Sequence, residues 1–426
     1  MLRWRRFLFQ YSAKKEPNMA QGPIGVNILS SVVGIGGSNV SAFGDIIVAN
    51  HTPVIQLDFV FGINTQTGTT AITTTGVADT NASRLRLQTG VGAAGAATFT
   101  SQRIARYRAG QGMMARFTAI WTNSAASSTQ VVGMGNSQVG YFFGYNGTAF
   151  GLTIRNGGSD SWTAQTAWNG DKCDGTGASG FNWNKTLGNV MMIRYPYLGY
   201  GDITFWVQNP VTGVWILCHT IQYSNSSASV QVSNPSFPFF ANVTNSGSTT
   251  NLLMYVGSVG VFISGVRDFL AAQWATDNNK AAVTAETCIF SIRNCTTYNG
   301  VTNSGIIRLR SISLSYNQGV NGFAVLRLRK AATLGGSPSY TPINGSTGDN
   351  GVTLTSANSI ASVDTAATTS TAGFYQFNLN VGNTGQIVLD VSPYLIFINP
   401  GEIMTFGAFC TTSGSVQVAA SWNEDV

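Results

Sequence analysis

Of 426 residues only 9 % are charged, 43 % are hydrophobic and 49 are glycine, whereas an ordinary soluble domain carries about 25 % charge. This composition excludes a solvated disordered polyelectrolyte and the Ala/Glu/Lys/Leu/Arg-rich chains of coiled coils and helix bundles. The net charge of +6 gathers at one end, and two histidines with four glutamates leave little for a His-based catalytic or metal centre.

Residues 1–20 read as a basic N-terminal tail. Arg3, Arg5, Arg6, Lys14 and Lys15 stand there against Glu16; beyond them eighteen basic residues face sixteen acidic ones, so the body is nearly neutral. Such a tail suits nucleic acid or an acidic partner surface; a solvated terminus, or residues upstream of a second start at Met19, is the plain alternative. The short apolar run Phe7-Leu8-Phe9, followed by Lys14-Lys15, does not read as a signal peptide. Residues 21–50 read as an extended Gly/Ser-rich arm. Its Gly34-x-Gly36-Gly37 lacks the strand–turn–helix context and the lysine of a phosphate cradle.

Residues 51–280 carry a first series of strands, at Val54–Phe61, Arg84–Leu87, Arg116–Trp121, Gly140–Tyr145, Phe150–Arg155, Val190–Tyr195, Ile203–Val207 and Val214–Thr220. Period-two alternation and the turn Asn209-Pro210-Val211-Thr212-Gly213 mark them. Residues 62–83 read as a loop or hairpin tip, and 156–187 as a polar, tryptophan-bearing loop. Val266–Ala275 is the one candidate helix or irregular connector. Residues 281–426 hold a second series: Cys288–Ile292, Ile306–Leu314, Phe323–Arg329, Phe374–Val381, Ile387–Val391, Leu395–Ile398, Ile403–Phe409 and Ser415–Trp422, with long loops over 331–372. The expected fold is all-β: two antiparallel, jelly-roll-like β-sandwich domains behind an extended N-terminal arm. Arg-Leu-Arg at 84–86, 308–310 and 327–329 places exposed arginines on alternating strand positions. No run is long and apolar enough to span a membrane as a helix.

The chemistry-bearing residues are sparse. His51 and His219 lack a nucleophile elbow nearby and read as structural. Asn169, Asp171 and Asp174 miss the calcium-loop spacing, with Lys172 inside it, and read as turn formers. Asp160, Asp171, Asp174 and Asp202 are the nearest carboxylate cluster for a glycan hydrolase, which needs two acids about 5–10 Å apart. Trp162, Trp168, Phe181 and Trp183, among Asp, Asn and Gly, suit the faces of sugar rings; the competing reading is that they plug the end of the sandwich or a subunit contact. The five cysteines follow no disulfide framework and read as buried free thiols, suited to assembly in a reducing compartment.

A resemblance is carried by Ala105-Arg106-Tyr107-Arg108-Ala109-Gly110-Gln111-Gly112, Val132-Gly133-Met134-Gly135, Gly140-Tyr141-Phe142-Phe143-Gly144-Tyr145 and Tyr197-Leu198-Gly199-Tyr200-Gly201-Asp202. Asn399-Pro400-Gly401-Glu402 and Ser421-Trp422-Asn423-Glu424 extend it to the C-terminal strands. Over residues 50–426 the chain resembles structural proteins of large DNA viruses and tailed phages, of the fibre, spike or minor capsid type; alanine stands at 109 where proline is expected. The resemblance implies a virion component that is not an enzyme and needs no cofactor. It implies a homo-oligomer, with a trimer favoured. Assembly would occur in a reducing host compartment, and the β-sandwich modules would serve assembly or host attachment. Arg3, Arg5, Arg6, Lys14 and Lys15 would then anchor the chain to other virion proteins or the genome side, with Trp4, Phe7 and Phe9 packing on the partner. A lectin-like carbohydrate-binding module, with a host-surface glycan as ligand, is the alternative, and a glycan hydrolase a further one.

Overall fold

Alternating burial organises the strands. In Ile203–Gln208 the side chains of Ile203, Phe205 and Val207 are buried while Thr204, Trp206 and Gln208 are not, so one face of the strand must meet a second layer. The computed structural model describes residues 51–265, 272–317, 321–343, 353–354 and 359–425. The tail and arm expected over 1–50, with the candidate anchors Arg3, Trp4, Arg5, Arg6, Phe7, Phe9, Lys14 and Lys15, lie outside them.

The first sandwich pairs two antiparallel sheets. One runs in the order Trp215–Ile221, Ile203–Gln208, Asn189–Tyr195, Met113–Trp121, Leu253–Ser264, Arg84–Gln88, Val77–Asn81, with His51–Asp58 also on Leu253–Ser264. The facing sheet runs Ser159–Ala164, Ala149–Asn156, Gly140–Asn146, Ser128–Gly135, Phe237–Asn245, Ala96–Ala105, Gly68–Thr73. Phe99, Phe117, Phe143, Phe205, Phe237 and Phe239 fill the space between them.

The second sandwich is a jelly roll. Its eight main strands are Ala272–Val283, Thr287–Asn294, Ile306–Asn317, Phe323–Lys330, Phe374–Gly382, Gln386–Asp390, Ile403–Cys410 and Gly414–Asp425. Numbered one to eight in chain order, they form sheets 1-8-3-6 and 2-7-4-5, the interleaving of two Greek keys. Its core includes Phe290, Leu309, Leu326, Phe406 and Trp422. The described residues are therefore all-β, built into antiparallel, jelly-roll-like β-sandwiches. Among the described residues no helix is long and apolar enough to cross a membrane.

Several local expectations are corrected, among them the loops over 331–372, which hold the short strands Thr333–Leu334, Tyr340–Pro342, Thr353–Leu354, Ala361–Asp364 and Ser370–Thr371, and the loop 156–187, which holds the strand Ser159–Ala164. The candidate helix Val266–Ala275 is strand over its described part. Ala272–Val283 pairs with Gly414–Asp425 and sets Trp274 opposite Trp422, so cross-strand pairing outweighs local apolar character. Residues 62–83 are not one loop but contain the strands Gly68–Thr73 and Val77–Asn81. Arg329 is not exposed: it is buried beside Glu286 at 3.0 Å, donates to the Tyr375 hydroxyl at 2.8 Å and stands over its ring.

Candidate binding site

The aromatic loop after Ser159–Ala164 turns inward. Trp168 and Trp183 are buried in the first core, only 3 % and 2 % exposed. Trp183 lies 5.1 Å from Phe150, 5.8 Å from Phe143 and 6.1 Å from Trp168, ring centre to ring centre. Phe181 is half-buried against the same core. Trp162 is held apart, on the opposite face of its sheet, against Val131, Phe142 and Phe240. The four rings thus form no shared platform: two plug the sandwich end, one supports the plug, and one covers the outer face. Lys185 lies across Phe150 at 5.1 Å, and burial lowers its pKa.

The polar residues of this loop hold the loop itself. Burial raises the Asp171 carboxyl, yet N–H donors from Ser179 at 2.7 Å and Cys173 at 2.8 Å outweigh it and leave the acid below its usual range. Asp174 accepts from the Thr176 hydroxyl and backbone. Asp160 is paired with Arg155 through two contacts of 2.7 and 2.9 Å. His219 accepts the Asn169 N–H at 3.1 Å on Nδ1, and burial lowers its pKa. His51 sits edge-on to Phe262. Among the described residues no group of three or more His, Cys, Asp or Glu side chains is arranged to hold a metal ion.

A different place has the shape of a site. Where the two sandwiches meet, a cavity of about 510 Å³ opens, within the ~300–1,000 Å³ span of small-ligand sites. The first sandwich supplies Val54, the turn Asn64–Thr67, and Gln102, Arg103 and Ile104 from Ala96–Ala105. Asn64 shapes its turn by accepting the Gln66 N–H at 2.9 Å, and the Gln102 N–H reaches Thr67 O at 2.8 Å. The second sandwich supplies Lys330, Phe374, Gln376, Leu395 and Phe397, with Asn399, Gly401 and Glu402 from the turn 399–402. That turn closes with the Glu402 N–H on Asn399 O at 2.9 Å. Gly401 has φ 82°, a conformation that glycine takes without strain.

Glu402 is the one carboxylate among the lining residues, and it is already engaged. Its Oε2 accepts from Lys330 Nζ at 2.7 Å and from the Asn399 N–H at 2.8 Å. Arg103 covers the Phe397 ring at 5.4 Å, whereas Phe374 is 50 % exposed and keeps a free flank. The lining thus offers amide side chains, one neutralised ion pair, the Arg103 guanidinium and an exposed ring. Sequence reasoning missed this site because its walls come from distant segments. Only the Asn399-Pro400-Gly401-Glu402 turn was recognisable beforehand.

Further links cross between the sandwiches, in addition to the Arg103–Phe397 contact. Asp425 pairs with Arg108 at 2.6 Å and Arg106 at 3.3 Å, and Asn234 donates to the Ser304 hydroxyl at 2.6 Å. The Asp425 side chain is 8 % exposed, while those of Arg106 and Arg108 keep 17 % and 23 %.

No protein-family model matches the chain, and no curated protein does. Solved structures align with about half of it. The carbohydrate recognition domain of Emp47p aligns with TM-score 0.33 at 9 % identity, over 51 % of this chain and 97 % of that one. A glycoside hydrolase family protein from Mycobacterium thermorestibile aligns with TM-score 0.35 at 11 % identity, over 49 % and 100 %. A beta-1,3-glucanase from Mycobacterium marinum aligns with TM-score 0.32 at 10 % identity, over 46 % and 91 %. No residue role is carried over from any of them.

Proposed function

We propose that the protein is a non-catalytic glycan-binding protein whose ligand lies in the cleft between its sandwiches. The observation that carries this reading is the 510 Å³ cavity with Phe374 half-exposed on its wall, beside Gln102, Gln376 and Asn399. A sugar ring can lay its apolar face on Phe374 while the amides meet its hydroxyls. The acids support binding over catalysis, since Asp160, Glu286, Glu402 and Asp425 each face an arginine or lysine. The test is calorimetric titration with a panel of oligosaccharides. Phe374→Ala should weaken the best ligand by about fivefold, an aromatic contact being worth about 1 kcal/mol. Equal affinity of wild type and Phe374→Ala for that ligand, or binding of no oligosaccharide, would sink the reading.

A second reading is a virion component displayed as a homo-oligomer, the trimer first. Its support is the jelly-roll strand order, shared by viral capsid and lectin domains, together with bare apolar side chains such as Phe61 at 99 % and Val211 at 90 % exposure. In this reading the N-terminal basic residues anchor the chain and the sandwiches face outward. A mass measurement in solution decides the assembly claim: a monomer at micromolar concentration counts against it.

A further inference from the structure

All five cysteines are free and buried, but two of them meet. Sγ of Cys173 lies 3.7 Å from Sγ of Cys218, although 45 positions separate them in the chain. Their approach is built in by backbone contacts. The loop is stitched to Trp215–Ile221 by Gly170 N–H on Cys218 O at 3.1 Å and Asp171 N–H on Leu217 O at 2.8 Å. Gly170 permits this closeness, since a Cβ there would sit 2.4 Å from Leu217 O. Cys173 itself takes φ 52° and is pinned from both sides: its N–H donates to Asp171 Oδ1, and its carbonyl accepts the Trp183 N–H at 2.8 Å.

We propose that Cys173 and Cys218 are a disulfide-forming pair, closed by a small-molecule disulfide oxidant and stapling the buried aromatic loop to the sheet edge. A disulfide holds its sulfurs about 2 Å apart, so closure asks for an approach of roughly 1.7 Å from the observed spacing, shared between two side-chain rotations. The chemistry balances with oxidised glutathione. One cysteine thiolate attacks a glutathione sulfur and releases the first glutathione thiol. The second cysteine then displaces the other glutathione from the mixed disulfide, so two protein thiols are oxidised and one glutathione disulfide is reduced to two thiols. Both side chains are shut from water, and burial pushes the Cys218 thiol well up. Reaction therefore waits on lifting of the loop, and the pair stays reduced while glutathione keeps its surroundings reducing. This inference is independent of the cleft and its ligand.

The test uses the reduced full-length protein, incubated with oxidised glutathione at about pH 8.5, where thiolate is available. It is then unfolded in the presence of iodoacetamide and weighed intact. The expected product weighs about 2 Da less than a protein carrying the same three alkylations and no disulfide, the difference being the two hydrogens lost on forming one disulfide. It alkylates at three of its five cysteines, and its peptide map contains a Cys173–Cys218 link. Cleavage by trypsin at Lys172, exposed beside the pair, should slow several-fold on oxidation. Cys218→Ser should lose both the link and the slowing; if that variant fails to fold, the wild-type peptide map decides alone. Alkylation of all five cysteines after incubation, or a link joining a different pair, overturns the proposal.

Discussion

Replacing Trp183 by alanine separates a buried plug from a sugar platform. The indole is 2 % exposed and packs on Phe143, Phe150 and Trp168 at ring distances of 5.1 to 6.1 Å. Its removal loses apolar burial and leaves a hollow that rigid neighbours fill only in part, a cost of about 3–5 kcal/mol for a core tryptophan. For a body of this size that lowers the melting temperature by about 10 °C. Urea unfolding followed by tryptophan fluorescence should show the midpoint falling with an unchanged slope. Trp162→Ala is the control. Its ring is half-buried on the outer face, and its loss should cost about 1–2 kcal/mol. A Trp183→Ala protein within about 1 kcal/mol of wild type, but with sugar binding abolished, would refute the plug and restore the platform.

Two further outcomes test the second sandwich and its attachment. Asp425→Ala removes the acid shared by Arg106 and Arg108. It should cost about 2–3 kcal/mol, below the full buried-pair figure because both arginines keep some solvent contact. Calorimetry should then show the two sandwiches melting at separate temperatures, and an unaltered melting profile would count against the link. Glu424 is buried, and burial raises its pKa against hydrogen bonds from Ser359, Trp422 and the Ile360 N–H. Because the folded value lies above the unfolded one, folding favours the protonated acid. That stabilisation is whole below the unfolded pKa and is lost as pH rises through the folded one. The stability advantage of wild type over Glu424→Gln should therefore shrink as pH rises above the ordinary glutamate pKa of about 4.3. An advantage that grows over this range shows that the sign is wrong.

Local pattern made most of the strands legible. Expected Arg84–Leu87 is observed as Arg84–Gln88, and expected Ile203–Val207 as Ile203–Gln208. In such strands bulky side chains alternate, and alternation reports the burial of one face without knowledge of the partner. Ala96–Ala105 and Gly68–Thr73, rich in Ala, Thr and Gly, carry a weak signal, and their pairing with each other settles them as strands. Ser128–Gly135 is buried on both faces, which erases the alternation. A nearly neutral all-β body with few groups for catalysis is legible in the chain, because composition and period are local properties. That Trp168 and Trp183 point inward, that Cys173 meets Cys218, and that Phe374 and Gln102 line one cleft follows from the folded arrangement alone. Each of those pairings joins distant segments, and the sheet register that brings them together is a property of the whole fold.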